Sequence, residues 1–252
     1  MDNPLPPLAA SVQRLRELVR GLDVDELESP SYDDGWSIAD VLSHLGSGGV
    51  LMERRLEAVL AGVPFADDAA QPVWDEWNAK SPQAQADDAL TEDEQLGKAF
   101  ESVNEDDRER VTFPFGPLSV SFETAVALRL NEHALHTWDI EVMSIPGAVL
   151  PPDAAAVIID NLGLIGRFAA KPTGDEREVR VRTHEPIRHF TLRLTPESAE
   201  LLEGDGGVAP DLELPAESFC RLVYGRLDPD HSPPVAANGE VLELLRRVFP
   251  GI

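Results

Sequence analysis

The sequence predicts an α+β chain in two parts: a helical bundle over residues 1–146, then a smaller α+β domain with a short antiparallel sheet over residues 147–252. Three observations predict it. Through the first half, apolar residues recur at intervals of three and four, the period of an amphipathic helix. After Ile145-Pro-Gly the texture changes, and from Val179 to Leu194 apolar and polar residues alternate with the period of half-buried strands. The length of 252 residues is ample for two cores.

The elements follow in order. Leu8, Val12, Leu15, Leu18, Val19 and Leu22 mark a first helix, with Pro6 and Pro7 suited to its start. A second opens at Ser37, where Ser-Ile-Ala-Asp has the form of a capping box, and its stripe of Ile38, Val41, Leu42, Leu45, Met52, Leu56, Val59 and Leu60 runs to about Ala61. Gly46, Gly48 and Gly49 inside it cost roughly 1 kcal/mol each relative to alanine, which points to close packing, a kink or a gap for a ligand. Residues 62–90, rich in Pro, Asp, Ala and Gln, read as a loop with one short helix anchored by Trp74 and Trp77. A third helix starts at Thr91, again with a capping pattern, and continues through Leu96, Phe100 and Val103; a fourth follows Phe113-Pro-Phe-Gly-Pro and spans Ser121 to Met143. Beyond it come a helix from Pro152 to Ala170, strands around Val179–Thr183, Phe190–Leu194 and Asp211–Leu214, and closing helices at Pro215–Tyr224 and Gly239–Phe249.

Composition excludes whole classes of function. Against 46 Asp and Glu stand 21 Lys and Arg, a net charge of -25, so the basic footprint that supplies most nucleic-acid affinity is missing. No apolar run approaches the roughly 18 residues of a membrane span, and the Met-Asp-Asn-Pro start has no basic or apolar leader character. A single cysteine, Cys220, forms no internal disulfide and fits a reducing compartment. These features lead to the expectation of a cytoplasmic protein, monomer or homodimer, acting on small molecules.

The fourth helix carries the chemistry. Phe122, Val126, Leu128, Leu130, Leu135, Trp138, Ile140 and Val142 make it apolar nearly all round, the mark of a buried helix. Within it Arg129, Glu132, His136 and Asp139 follow at intervals of three, four and three, forming one polar strip that faces inward. A buried carboxylate costs several kcal/mol unless it is paired or bound to a cation. Glu132 and His136, four apart and about 6 Å from one another on one face, suit a shared metal; a hydrogen-bonded pair or an Arg129–Glu132 ion pair suits the spacing as well. His44, on the flank of the second helix, is the candidate third ligand. Trp36 and Trp138 read as bundle core, and Cys220 as a buried core thiol among apolar neighbours. His133, His184, His189 and His231 have no motif around them.

Gly-Trp-Ser-Ile-Ala-Asp-Val-Leu-Ser-His-Leu at residues 35–45, and Arg-Leu-Asn-Glu-His-Ala-Leu-His-Thr-Trp-Asp-Ile at residues 129–140, together resemble the paired motifs of the mycothiol-dependent maleylpyruvate isomerase family. The Gly225-Arg226 pair, at the end of Leu-Pro-Ala-Glu-Ser-Phe-Cys-Arg-Leu-Val-Tyr-Gly-Arg-Leu, fits the same family's smaller α+β domain. The resemblance implies a DinB-like four-helix bundle, with His44, Glu132 and His136 as ligands of a divalent metal, most often zinc. It further implies mycothiol as the external thiol, activated at an open coordination position for addition to a small electrophile, by isomerisation or S-transfer. Arg226 is the candidate catalytic anchor for a substrate carboxylate through its bidentate fork. Arg129 and Asp139 are candidates to orient Glu132 or a ligating imidazole. The competing expectations are a non-enzymatic metal or small-ligand module and a metal-dependent hydrolase using Asp139 as base.

Overall fold

A computed structural model describes residues 3–66, 68–204, 206–232 and 239–251. Contacts group the chain into two compact units, one spanning residues 2–148 and the other residues 149 onward. Among the described residues, no helix is long and apolar enough to cross a membrane.

In the N-terminal unit, α1 (Leu5–Val19) starts on Pro6 and Pro7 and is followed by the single turn α2 (Val24–Leu27). Helix α3 (Ile38–Ala61) begins with the expected capping box: the Ser37 side chain accepts from the Asp40 amide while the Asp40 carboxylate accepts from the Ser37 amide. It ends at Gly62, whose φ of 67° is the left-handed conformation that glycine adopts without strain. The residues after it hold a short helix α4 (Ala70–Asn78), as expected.

Helix α5 (Pro82–Ser102) corrects the third-helix start, since it begins nine residues before Thr91. Ser81 caps it and Pro82 occupies its first turn, a stronger start signal than Thr91, whose hydroxyl instead bonds back to the Asp87 carbonyl mid-helix. After α6 (Glu105–Arg110), the Phe-Pro-Phe-Gly-Pro stretch, which the sequence presents only as the lead into the fourth helix, forms a hairpin of β1 (Thr112–Phe115) and β2 (Leu118–Ser121). Ser121 then caps α7 (Phe122–Glu141). Helices α1, α3, α5 and α7 pack as a closed ring, α1 on α7, α7 on α3, α3 on α5 and α5 on α1.

The three glycines of α3 pack closely against neighbours, and the helix runs through them unbroken. A Cβ on Gly46 would lie 2.2 Å from the Trp77 indole, and one on Gly49 would lie 2.8 Å from Glu92 Cγ. Trp77, 4% exposed, thereby locks α4 onto α3.

In the C-terminal unit the expected helix from Pro152 to Ala170 is two, α8 (Pro152–Ile159) and α9 (Leu162–Ala169), parted at Asp160 and Asn161. Strands β3 (Arg177–His184), β4 (His189–Leu194), β5 (Ala199–Glu203) and β6 (Leu212–Pro215) form one sheet in the order β5-β4-β3-β6. The first three pair antiparallel, and β6 joins β3 in parallel, with Val181 opposite both Phe190 and Leu212. Alternation places Val179, Val181, Phe190, Leu192 and Leu212 on the buried face. Helix α10 (Ala216–Val223) packs beside it, the Phe190 and Phe219 rings 5.0 Å apart, and α11 (Gly239–Val248) closes the unit.

Candidate metal centre

His44 lies on α3 one turn above Gly48, and Glu132 and His136 lie one turn apart on α7. Packing of α3 on α7 brings the three together. One donor atom from each falls within 4.8 Å of the others. His44 Nε2 is 3.3 Å and His136 Nε2 is 3.7 Å from the same oxygen, Glu132 Oε2, and the two imidazoles meet edge to face at 4.7 Å. Two imidazole nitrogens converging on one carboxylate oxygen give a mixed N/O donor set of the kind that holds zinc with a position left over. Burial pushes the Glu132 carboxyl up, but the His44 hydrogen bond and the charges of His136, His44 and Arg129 outweigh it and hold the group down to about 2. The carboxylate is therefore anionic and ready to bind a cation at any physiological pH.

The other nitrogen of His136 is spoken for. His136 Nδ1 lies 2.9 Å from Asp139 Oδ2 and 3.3 Å from Asp33 Oδ2. A proton on Nδ1 directed at these carboxylates leaves the Nε2 lone pair facing Glu132 and His44, the tautomer a ligating imidazole needs. Asp139 is fully buried, so it acts from behind the ring. Asp33, His136 and Asp139 themselves form a second cluster within ligand distance of one another; sharing His136 through Nδ1, it reads as the orienting layer of the first.

Asp33 had no functional reading in the sequence and Trp36 was read as bundle core; both belong to the loop before α3. That loop is a tight hairpin: Ser31 N–H donates to Trp36 O, Ile38 N–H donates to Ser29 O, and Tyr32 N–H donates to the Asp139 carbonyl of α7. The turn presents Asp33 to one side of His136 and lays the Trp36 ring over it, parallel to within 13° at 6.2 Å. Trp36 is thus a wall of the site, 37% exposed, where a core position had been expected; Trp138 is the core tryptophan, its Nε1 donating to Ala148 O. The sequence signals for Trp36 were its place one residue before the Ser37 cap and its membership of the motif at residues 35–45.

Arg129 serves a different purpose from the one expected. Its Nη2 donates to Asp93 Oδ1 at 3.0 Å and to the Leu45 carbonyl at 2.9 Å, and no bond to Glu132 forms, so its influence on that carboxylate is through charge. Asp93 also meets His133 Nε2 at 3.0 Å, and His133 Nδ1 meets Ser11 Oγ at 2.9 Å. Burial opposes the Asp93 charge, but His133 and Arg129 more than offset it and lower its carboxyl below the ordinary value. Beside this network Glu92, 7% exposed, leaves Oε1 without a hydrogen-bond partner among the described residues. Burial first, then Glu53 and Asp93, push its carboxyl up to about 7 against the pull of Arg129 and Lys80.

Arg226 lies in the C-terminal unit, after the left-handed Gly225. It is 8% exposed, with Nη1 donating to the Tyr224 carbonyl at 3.0 Å. Cys220 is fully buried, which raises its thiol well above the ordinary value and removes it as a nucleophile.

A family model described as the mycothiol maleylpyruvate isomerase N-terminal domain matches residues 8–141. Two solved structures share the fold at a TM-score of 0.65: a mycothiol-dependent maleylpyruvate isomerase, 13% identical over 90% of this chain and 89% of that one, and a histidine-to-alanine mutant, 12% identical over 89% and 88%. No curated protein matches the chain by sequence.

Proposed function

Since the chain belongs to the mycothiol-dependent maleylpyruvate isomerase family, an enzyme family, we propose that it activates an external thiol, mycothiol, at a divalent cation held by His44, Glu132 and His136. Zinc suits this donor set best. The observation that carries the reading is the division of work within the His136 ring, Nδ1 turned to Asp139 and Asp33 and Nε2 turned to Glu132 and His44. A merely structural histidine has no need of two carboxylates behind it and a third in front.

Each residue then has a defined task. His44 and His136 offer neutral imidazole nitrogens, Glu132 supplies the compensating charge, and Asp139 fixes the His136 tautomer from a fully buried position. A cation bound there supplies the charge that draws the proton off an incoming thiol at neutral pH. His44, Glu132 and His136 would hold the ion with three donors and so would leave it able to take an external thiol, while Cys220 is buried. The sulfur adds to an activated double bond of a small electrophile; its departure after rotation gives an isomer, and its retention gives an S-conjugate. The family resemblance makes Arg226 the candidate anchor for a substrate carboxylate, and within its own unit it is 8% exposed with Nη1 donating to the Tyr224 carbonyl. The reaction belongs to the cytoplasm, on a monomer or homodimer. A hydrolytic reading is weaker, because Asp139 lies on the Nδ1 side of His136, away from the position a reacting water would take.

Metal analysis of protein purified without chelator, with His44→Ala as control, tests the site. One equivalent of metal in the parent and a loss of most of it in the variant is expected; equal content in both overturns the ligand set. Mycothiol raising Tm more than its dethiolated analogue supports thiol capture, and equal shifts sink it.

A further inference from the structure

Across the helical ring from the α3–α7 contact, where α5 meets α1 and α2, the N-terminal unit holds a separate cavity of about 370 Å³, a size within the range of small-molecule sites. Gly21 helps to open it: at φ 93° it turns the chain off the end of α1, and a Cβ on it would meet nothing within 4 Å. The floor is apolar, made by Val19, Leu22, Leu27, Ala86 and Leu90, of which Val19, Leu27 and Ala86 are buried. Arg16 and Arg20, one turn apart at the end of α1, line the same space.

Neither guanidinium is satisfied, although 46 Asp and Glu outnumber 21 Lys and Arg in this chain. Arg16 Nη2 donates to the Leu90 carbonyl at 3.2 Å and lies 3.4 Å from Glu94 Oε2. Its Nε is buried without a hydrogen-bond partner, and its Nη1 makes no bond among the described residues. Arg20 makes no side-chain hydrogen bond or ion pair among the described residues. Both acids that line the cavity already have other donors: Glu94 takes Lys98 Nζ at 2.6 Å, and Asp87 Oδ1 accepts from Gln83 Nε2 at 3.1 Å.

Spare N–H donors over an apolar floor select a ligand class. A phosphate or sulfate carries a larger charge toward Asp87 and Glu94 and leaves the leucines against water. An uncharged apolar molecule strips water from the guanidiniums and returns no acceptor. A monocarboxylate with a short aliphatic body meets both demands, its planar carboxylate matching a guanidinium fork while its body covers Leu22, Leu27 and Leu90.

We infer that this cavity is a second small-molecule site, which binds a short aliphatic monocarboxylate at Arg16 and Arg20. It is independent of the thiol-activation reading, since none of His44, Glu132 and His136 lines it and its ligand needs no cation.

Calorimetric titration with octanoate, octanol and inorganic phosphate, on metal-loaded and on chelator-treated protein, tests it. Octanoate is expected to bind both forms equally with unit stoichiometry, octanol roughly tenfold more weakly, and phosphate not at all. Arg20→Gln is expected to weaken octanoate roughly tenfold, the loss of a charge-assisted contact, and Arg20→Lys to recover part of it. Arg20 is exposed at the helix end, so both variants keep the core intact. No octanoate binding, octanol binding as tightly, an unchanged affinity in Arg20→Gln, or competition by phosphate overturns the inference. Octanoate binding that is lost on chelation also overturns it, because the carboxylate then sits on the cation. The two proposals fail separately: a protein that holds no metal at His44 still binds octanoate if this cavity is the site, and a silent Arg20→Gln leaves thiol activation untouched.

Discussion

Glu92→Gln is expected to stabilise the protein, and more at pH 8 than at pH 5. Glu92 sits where α5 crosses Gly49 of α3, with its Cγ 2.8 Å from where a Cβ on that glycine would be, and its Oε1 has no hydrogen-bond partner among the described residues. Burial, with Glu53 and Asp93 nearby, raises the carboxyl from the ordinary 4.5 to about 7. Between those two pH values the folded protein binds a proton that the unfolded chain has released, so stability falls as pH rises through the window and the cost is complete above about 7. At about 1.4 kcal/mol per pH unit, the charged form costs on the order of 3 kcal/mol by pH 8. Glutamine has nearly the same shape and does not titrate. Urea denaturation of parent and variant at both pH values should therefore show the variant's advantage growing by roughly 2–3 kcal/mol from pH 5 to pH 8. An advantage that is the same at both values refutes the argument that Glu92 is held protonated by its surroundings.

Asp139→Asn keeps the shape behind His136 and removes the charge that fixes its tautomer, so metal affinity measured by chelator competition should fall about 10–100-fold with Tm little changed. Gly46→Ala pushes a methyl to 2.2 Å from the Trp77 indole, and overpacking of this kind should cost about 1–3 kcal/mol and expose Trp77, read by denaturation and by a red-shifted emission. Asp93→Ala strands Arg129 and His133 together in the bundle interior, where a broken buried pair costs about 3–5 kcal/mol; a loss under 1 kcal/mol would show that water takes the place of the carboxylate.

Much of the bundle was legible because helix signals are local. The apolar period of α3 and the Ser37–Asp40 box marked that helix to the residue at its start, and the polar strip of α7 was visible because a row of charge on an otherwise apolar helix has few explanations, although Glu132, expected to face inward with the rest, is exposed where the strip reaches the surface. The start of α5 was misread because two competent cap signals, Ser81 and Thr91, lie ten residues apart, and the packing of α5 on α3 favours the earlier one. The β1–β2 hairpin was hidden by its two prolines, which lower strand propensity on both sides of the turn.

By itself the sequence determined that Glu132 and His136 share one face of a helix apolar nearly all round, and that Arg129 and Asp139 continue that face. These follow from helical spacing and composition. Tertiary structure alone decided that His44 meets them, because the two motifs are 88 residues apart and only the packing of α3 on α7 brings them within reach. It also decided the direction of each charge: Arg129 turns to Asp93, Asp139 turns to Nδ1 of His136, and Asp33 and Trp36 arrive from a loop with no periodicity to read. A helix fixes which side chains share a face, but a buried ionisable group takes its partner from whichever element packs against that face, and packing is a property of the whole chain.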